Sequence, residues 1–310
     1  MSGTMLTKRF LYSLIFLLII ACSACAEITD EPLPQSNDSG LLNDTRSEAP
    51  VDHAGAVSSD LYVYFFDVGQ GDSALILAPN GQTMLIDGGT RAGSGKLLEY
   101  LKNAGVESID YLVATHPHED HIGGLPAVID GLDVRSVYMP KVSNNTRIFE
   151  DLLYSLQDKG LMVKTAKAGV NIISEPDLRA DLVAPVGDSY KDLNNYSAVV
   201  KLTYKDVAFL FTGDAQAESE RQITADIKAD VLKIGHHGSA TSSEAAFLKR
   251  VDPQIAVISC GKDNNYGHPH AEVLNRLAAA GVKVYRTDEQ GTIKITSDGY
   301  EIIIEDDSTE

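Results

Sequence analysis

Residues 114–124 read ATHPHEDHIGG, and this stretch holds three of the chain's eight histidines interleaved with two carboxylates. It follows an apolar run that predicts a buried strand. At a strand end, His116 and His118 project to the same side, and a turn then brings Asp120 and His121 to a second position. Imidazole nitrogens and carboxylate oxygens at this density are typical of Zn²⁺ sites, with Mn²⁺ or iron as alternatives where oxygen ligands are more numerous. The stretch therefore predicts a metal centre.

The other polar motifs of the chain also follow apolar, strand-like runs. They are FFDVGQGD (65–72), LIDGG (85–89), LFTGD (210–214), LKIGHHGS (232–239) and ISCGKDNNYGHPH (258–270). Binding and catalytic residues concentrate in loops that a rigid scaffold positions. We therefore expect one rim of the sheets to carry nearly all of the chemistry.

The body of the chain, residues 61–310, predicts an α/β domain. Short β-rich runs are separated by Gly, Asn and Asp turns, and helix-like stretches lie near 93–104, 124–131, 147–159, 216–225, 243–250 and 271–280. The hairpin-like pair at 73–86 leaves no room for a crossover helix. This favours two mixed sheets covered by helices over a single parallel sheet. Residues 141–175 contain no motif that predicts a function.

The N-terminal residues 1–22 predict an export signal. Two basic residues precede an apolar run at 10–20 that is too short for a permanent membrane span. The run ends in IIAC, which resembles a bacterial lipobox and predicts a lipid on Cys22 that anchors the protein to the outer face of a bacterial membrane, in the cell envelope. The alternative is an ordinary secretory signal cleaved near residues 24–26. Residues 23–60, polar and without apolar periodicity, predict a disordered tether.

Cysteine usage and net charge narrow the classes of function. Cys260 is the one cysteine in the body of the chain, so we expect no disulfide framework and a buried, unreactive thiol at a strand end. The formal charge of −18 disfavours non-specific nucleic-acid binding. Screening limits that repulsion to about 8–10 Å, so a cationic site can still accept an anionic phosphodiester. The sequence has no Trp and no evident aromatic platform for single strands.

The motifs together resemble a known family. His-x-His-x-Asp-His followed by Gly-Gly is similar to the signature of the metallo-β-lactamase superfamily. More narrowly, DVGQGDS, LIDGG, NNYSAVV, TGD, HHGS and NNYGHPH resemble the soluble hydrolase-like domain of ComEC competence proteins. The resemblance implies an αββα sandwich with a one- or two-metal site, and a hydrolase.

The resemblance also implies the metal ligands. It assigns His116 and His118 to the first metal, Asp120 and His121 to the second, Asp214 as the bridge between them, and one histidine of the pair His236 and His237 to the second site. His236 is favoured over His237 because it is closer to the strand end. Two ions roughly 3.5–4 Å apart would activate a shared water, and Asp120 would also orient that nucleophile.

One feature departs from the pattern of many family members. They supply a further histidine to the first metal, but no histidine occurs here between His121 and His236. The ComEC-like pattern places Asn194 or Asn195 near that point. An amide oxygen is a poorer zinc ligand than imidazole, so the first site would be weaker or would prefer Mn²⁺. The alternative is that these asparagines only shape a turn.

Other polar residues of the motifs are assigned supporting roles. Asp87 is predicted to orient a ligand histidine. Asp67 and Asp72 are ambiguous, because aspartates in glycine-rich loops more often fix turns than take part in catalysis. His268, before Pro269 and a predicted helix, is a candidate phosphate contact or general acid together with Ser239. The alternative for His268 is a helix-entry cap, and His270 is predicted to be structural.

Three functions fit these features. The first is a metal-dependent phosphodiesterase, a nuclease included, because paired metals favour a phosphoryl centre. The second is a lactamase, lactonase or thioester hydrolase on the same scaffold, since the fold does not decide the chemistry. The third is a non-catalytic accessory module whose metal is structural.

Overall fold

The computed structural model describes residues 59–306. The predicted signal peptide lies outside these residues, as does the predicted tether up to residue 58. Among the described helices, none is both long and apolar enough to cross a bilayer.

The described residues form seventeen strands and eight helices. The strands are β1 (Leu61–Phe65), β2 (Ala74–Leu77), β3 (Thr83–Ile86), β4 (Ser108–Ile109), β5 (Tyr111–Val113), β6 (Asp133–Val134), β7 (Val137–Met139), β8 (Val163–Thr165), β9 (Asn171–Ser174), β10 (Leu178–Ala184), β11 (Val199–Tyr204), β12 (Val207–Phe211), β13 (Val231–Lys233), β14 (Ile255–Ile258), β15 (Lys283–Arg286), β16 (Ile293–Ser297) and β17 (Ile302–Asp306). The helices are α1 (Ser94–Asn103), α2 (Glu119–Ile122), α3 (Leu125–Gly131), α4 (Arg147–Asp158), α5 (Ala217–Gln222), α6 (Ala245–Val251), α7 (Ala271–Ala279) and α8 (Thr287–Gln290). Two 3₁₀ turns lie at Leu193–Tyr196 and Gly235–Gly238.

The strands form two large mixed sheets. The first has the order β17-β16-β1-β2-β3-β5-β7-β8, and the second has the order β15-β14-β13-β12-β11-β10-β9. β1 and β2 form an antiparallel pair, whereas β3, β5, β7 and β8 run parallel. In the second sheet β12 to β15 are parallel. The prediction of two mixed sheets is confirmed.

Three apolar clusters hold the layers together. The central cluster lies between the sheets, where the rings of Phe65 and Phe211 stack with centroids 5.6 Å apart. A second cluster packs α1, α3 and α4 on the first sheet, and a third packs α6 and α7 on the second. The layers are therefore helix, sheet, sheet, helix, as the αββα prediction requires. In β1 buried residues alternate with partly exposed ones. This two-residue period is expected of a strand with one face in the core.

The strand ends meet at the rim that carries the motifs. The polar motifs follow β1, β3, β5, β12, β13 and β14, and the parallel strands point their carboxyl ends the same way. Cys260, just after β14, is fully buried, and burial raises the pKa of its thiol to about 12. The predicted burial of Cys260 is confirmed, and the raised pKa disfavours the reactive thiolate form.

Helix α5 contains a buried carboxylate that fastens the loop following the HHGS motif. Glu220 is 1% exposed, and its carboxylate accepts hydrogen bonds from the amides of Ser243 (2.6 Å) and Glu244 (3.3 Å). Burial raises the pKa of Glu220 to about 7, although these amides act in the opposite direction. The charged form is therefore the one that the folded protein disfavours.

Stability is expected to fall as the pH rises through 7 because of Glu220. Its folded pKa lies above its ordinary value of 4.5, so its contribution is fully present below about pH 4.5 and is lost as the pH passes about 7. The loss is of the order of 3 kcal/mol. Urea unfolding at pH 4.5 and pH 8 measures it, because most of the loss falls between pH 4.5 and pH 7. Glu220→Gln should flatten this dependence, whereas Glu99→Gln, an exposed helical control, should not; equal profiles for all three proteins would contradict the prediction.

Candidate metal centre

The predicted metal stretch forms the turn after β5 and the short helix α2. His116 is buried, and its Nε2 atom lies 3.0 Å from Nδ1 of His118. His121, within α2, is fully buried. The two-residue spacing thus brings one nitrogen each of His116 and His118 together, as the sequence predicts.

Asp214 follows β12 and lies between the histidines of this stretch. Its Oδ2 atom is 3.7 Å from Nε2 of His116, and its Oδ1 atom is 3.2 Å from Nε2 of His121. Gly213, immediately before it, has φ +50°, and a Cβ there would meet the Thr115 side chain at 2.9 Å. The TGD turn therefore requires glycine. Oδ1 of Asp214 is buried and has no hydrogen-bond partner among the described residues, which is the state of an atom reserved for a ligand.

His237 and Asp120 join the same cluster from opposite sheets. Nε2 of His237 lies 3.3 Å from Nε2 of His121 and 3.2 Å from Oδ2 of Asp120. It is also 3.4 Å from Oδ2 of Asp214. Two imidazoles and two carboxylates therefore converge on one small volume.

The geometry favours His237 at this position over His236, the residue that the sequence favours. His237 is 1% exposed and faces the cluster, whereas the His236 side chain is 22% exposed and its Nε2 lies 3.9 Å from Asp214. Both residues adopt left-handed backbone angles, with φ of 51° and 53°. Such angles are rare for residues with a side chain, and they turn the chain so that the rings point in different directions. The sequence favours His236 because it is closer to the strand end, and that criterion takes no account of this turn.

The two asparagines of the 3₁₀ turn before β11 have different contacts. Nδ2 of Asn194 lies 3.4 Å from Nε2 of His236, and its Oδ1 is buried without a hydrogen-bond partner among the described residues. Asn195 instead accepts hydrogen bonds from the amides of Gln216 and Ser219 and so fastens the start of α5. Asn194 and His236 thus form the edge of the cluster beside Asp214, and Asn195 is structural.

Asp87 fixes the orientation of His121. Its Oδ2 atom accepts hydrogen bonds from Nδ1 of His121 (2.8 Å) and from the Thr115 hydroxyl (2.7 Å), while Oδ1 accepts from the Thr115 amide (2.8 Å). With Nδ1 donating, the Nε2 lone pair of His121 is left facing Asp214. The predicted role of Asp87 in orienting a histidine agrees with these contacts. His237 is held in the same way, because its Nδ1 donates to the Ser259 carbonyl at 3.0 Å.

Asp87→Asn is expected to weaken metal binding about 10- to 100-fold. The amide would bring a donor where His121 Nδ1 also donates, and relief of that conflict moves the proton to Nε2, the atom that faces the cluster. Titration with Zn²⁺ and Mn²⁺ by calorimetry measures the loss. Asp67→Asn, in a neighbouring loop where Asp67 pairs with Lys96, is the control and should bind metal normally; equal affinities for all three proteins would remove Asp87 from this role.

The GQGD loop packs directly against the metal stretch. The Asp72 amide donates to the Asp120 carbonyl at 3.0 Å, and a Cβ on Gly71, whose φ is +142°, would lie 2.3 Å from that carbonyl oxygen. Glycine is therefore required at 71. The close approach carries the Asp72 carboxylate behind the histidines, where its Oδ1 lies 3.2 Å from Nδ1 of His237.

Lys233 is a residue of this centre that the sequence analysis missed. It ends β13, is only 4% exposed, and forms an ion pair with the Asp72 carboxylate. Its ammonium also donates to the Gly213 carbonyl at 3.1 Å. Lys233 thus links the GQGD loop to the residue before Asp214. In LKIGHHGS it lies within the predicted strand, and nothing in the motif indicates that its side chain is buried.

The charges of the buried cluster balance one another. Burial alone would raise the pKa of Asp214, but His121 and His237 hold it well below its usual value. Burial alone would lower the pKa values of His121 and His237, but the surrounding aspartates, Asp214 foremost, raise both well above the usual value. His116 has less carboxylate around it, and burial, reinforced by His121, lowers its pKa well below the usual value. The site therefore stabilises positive charge at its centre, where a bound cation would replace the protons.

The donor set fits divalent transition metals. Asp72, His121, Asp214 and His237 each place a ligand atom within 4.8 Å of the others, and all four are buried. Tetrahedral ligands at ordinary Zn–N distances lie roughly 3.3 Å apart, close to the separations within the pairs His116–His118 and His121–His237. Asp72 is already committed to Lys233 and faces Nδ1 of His237, so it supports the cluster from behind. Zn²⁺ and Mn²⁺ both accept nitrogen and carboxylate ligands of this kind.

His268 lies beside the cluster, whereas the Ser239 hydroxyl contacts Thr241. The His268 ring is 5.6 Å from that of His236 and 6.1 Å from that of His237, and its Nδ1 is buried without a hydrogen-bond partner among the described residues. Burial, with these two rings, lowers the pKa of His268 to about 4, so it is neutral at pH 7 and fits a hydrogen-bonding contact better than a general acid. The Ser239 hydroxyl bonds to Thr241, at 3.1 Å.

The loop that carries His268 ends at the start of α7, as predicted. α7 begins at Ala271, two residues after Pro269. Nδ1 of His270 accepts from the Ala240 amide at 2.9 Å, and its Nε2 lies 3.3 Å from the Tyr266 carbonyl. His270 therefore ties two loops together and is structural, as the sequence predicts.

A family model described as the metallo-β-lactamase superfamily matches residues 66–262. The fold and the histidine and aspartate cluster agree with that match, and the chain belongs to this superfamily.

Proteins similar in sequence to this chain include competence proteins. The chain is 32% identical over 258 residues to ComE operon protein 3 of Bacillus subtilis (strain 168), with 77% of this chain and 33% of that protein covered. It is 30% identical over 253 residues to competence protein ComA of Neisseria gonorrhoeae, with 80% and 33% covered. The chain thus spans about a third of the length of these relatives. The resemblance to the ComEC-like hydrolase domain is confirmed.

Solved structures show the same fold at low sequence identity. CmlA, a diiron β-hydroxylase from Streptomyces venezuelae, superposes with a TM-score of 0.50 at 15% identity, covering 73% of this chain and 52% of that chain. This similarity concerns the fold alone.

Proposed function

We propose that the domain is a metal-dependent phosphodiesterase, with nuclease activity as one form of it. The observation that carries this proposal is the position of Asp214, whose Oδ2 atom faces both His116 and His237 while its Oδ1 atom faces His121. A carboxylate so placed is suited to bridging two cations. His116 and His118 would hold the first, and Asp120, His121 and His237 the second. Asn194 and His236 stand at the edge of the first site.

The chain's own residues would then divide the work. A divalent cation held there supplies Lewis-acid activation of the phosphoryl group and of the attacking water. The Asp120 side chain is 29% exposed, the most open carboxylate of the cluster, so it is placed to orient the attacking water. Neutral His268, at the rim, is placed to contact a phosphoryl oxygen. Asp87 and Ser259 hold the tautomers of His121 and His237.

The relatives and the net charge of the chain favour different substrates. Competence proteins among the relatives favour a nucleic acid, whereas the formal charge of −18 opposes long polyanions. A short phosphodiester reconciles the two, because its charge contacts only the site. A lactamase or lactonase, and an accessory module with a structural metal, are the competing functions.

One panel of assays separates these functions. The purified full chain is analysed for metal and assayed with bis-p-nitrophenyl phosphate, nitrocefin and single-stranded DNA, beside His118→Ala and Asp214→Ala. His53→Ala, from the predicted tether, is the matched histidine control. Phosphodiester hydrolysis lost in both site variants and kept in the control supports the proposal. Nitrocefin hydrolysis alone indicates a lactamase, and bound metal without hydrolysis indicates an accessory module.

We also propose that the protein is exported and anchored through a lipid on Cys22. The support is the lipobox-like IIAC after the apolar run. Cys22→Ala should move the protein from the membrane fraction to the soluble fraction of cells. A membrane fraction unchanged by this substitution would contradict the anchor.

A further inference from the structure

Tyr266 is an exposed aromatic side chain at the edge of the metal centre. It is 65% exposed, and its ring stacks on that of His268 with centroids 5.6 Å apart and planes 19° apart. The His268 ring in turn lies 5.6 Å from that of His236 and 6.1 Å from that of His237. A row of rings therefore leads from the cluster to the surface. Since one face of Tyr266 lies against His268, its exposure comes from the rest of the ring.

The loop that presents Tyr266 is held in place by Asn264. The side-chain amide of Asn264 donates to the carbonyls of Gly261 (2.9 Å) and His268 (2.6 Å), and its Oδ1 accepts from the amides of Tyr266 (3.1 Å) and His268 (3.0 Å). Four bonds from one side chain fix the backbone on both sides of the tyrosine. The ring is thus presented on an ordered loop, and contact with it costs little conformational entropy.

We propose that Tyr266 is a specificity-determining residue that stacks on the aromatic base of a nucleotide substrate. The inference deepens the proposed phosphodiesterase and rests on it for the phosphoryl group. A base has a π-face that stacks on tyrosine, whereas glycerol or choline groups of aliphatic phosphodiesters do not. The distance from cluster to ring, spanned by the single ring of His268, suits a base attached to the phosphate under attack. Tyr266 supplies the aromatic platform that the sequence did not reveal.

Equilibrium binding tests this inference without needing turnover. Calorimetry on the metal-loaded full chain compares thymidine 5′-monophosphate with glycerol 3-phosphate, which share the phosphate but not the base. Wild type should prefer the nucleotide. Tyr266→Ala should weaken nucleotide binding about 5- to 150-fold and leave glycerol 3-phosphate unchanged, while Tyr266→Phe should keep the preference. Tyr300→Ala is the matched control, since Tyr300 is 64% exposed in the turn between β16 and β17, beside Lys205.

The outcomes separate the two proposals. Equal affinities of wild type for both ligands, no binding of either, or an equal effect of Tyr266→Ala on both would overturn the stacking role. Hydrolysis of bis-p-nitrophenyl phosphate by wild type tests the phosphodiesterase on its own. A nucleotide preference that depends on Tyr266 in a protein without hydrolysis would retain the stacking surface and discard the enzyme.

Discussion

Asp214→Asn is expected to lower hydrolysis of bis-p-nitrophenyl phosphate by more than about 100-fold and to weaken metal binding at both positions. Asp214 contacts histidines of both proposed metal positions: its Oδ2 faces His116 and His237, and its Oδ1 faces His121. The amide keeps the size of the carboxylate but loses its charge and one acceptor oxygen. Removal of an orienting residue behind a ligand costs about 10- to 100-fold, so loss of a shared ligand should cost more.

The measurement combines steady-state kinetics with metal analysis of the same preparation. Asp181→Asn is the control, because Asp181 lies in β10 of the same sheet and its side chain pairs with Arg179 at the surface. The control should keep both activity and metal content. Asp214→Asn with wild-type metal content and activity would show that the carboxylate is not a ligand, and the two-cation reading of the cluster would then be wrong.

The sequence predicts the rim of the sheets well because strand ends carry their own signals. The motifs after β5 and β12 combine apolar runs with Gly, Asp and His, and the structure brings His116, His121 and Asp214 together as expected. For a local reason, the sequence does not separate His236 from His237. The choice depends on left-handed backbone angles at two successive residues, which only the packing of the surrounding loops selects.

Lys233 and two edge strands show what local patterns omit. A lysine in a strand is ordinarily exposed, and its burial here follows from Asp72, which the fold brings to it from a distant part of the chain. β8 and β9 lie in residues 141–175, for which the sequence predicted no function and no strand. All three residues of β8 are exposed, so no apolar alternation marks it. β9 is an edge strand with two buried residues, too short a pattern to identify.

Lys233→Met is expected to destabilise the protein by about 3–5 kcal/mol. The ammonium is 4% exposed, and its partner Asp72 is nearly as buried, so removing the cation leaves a carboxylate without its main counter-charge. Burial alone would raise the pKa of Asp72, and Lys233 is the largest influence that lowers it. Methionine fills similar volume, so the loss reports charge more than packing. Urea unfolding monitored by circular dichroism measures it.

A double variant separates the ion pair from the lysine's other contact. Asp72→Asn combined with Lys233→Met removes both charges, and it should recover much of the lost stability because no unpaired charge remains. The hydrogen bond from Lys233 to the Gly213 carbonyl is absent in both variants, so any part of the loss that persists belongs to that bond and to the contact of Asp72 with His237, which Asp72→Asn weakens. A single variant as stable as wild type would mean that Asp72 finds another partner, with Nδ1 of His237 at 3.2 Å the nearest candidate. The proton on Nδ1 of His237 would then be shared more strongly with Asp72. The affinity of Nε2 of His237 for metal should therefore rise even though the fold is unchanged.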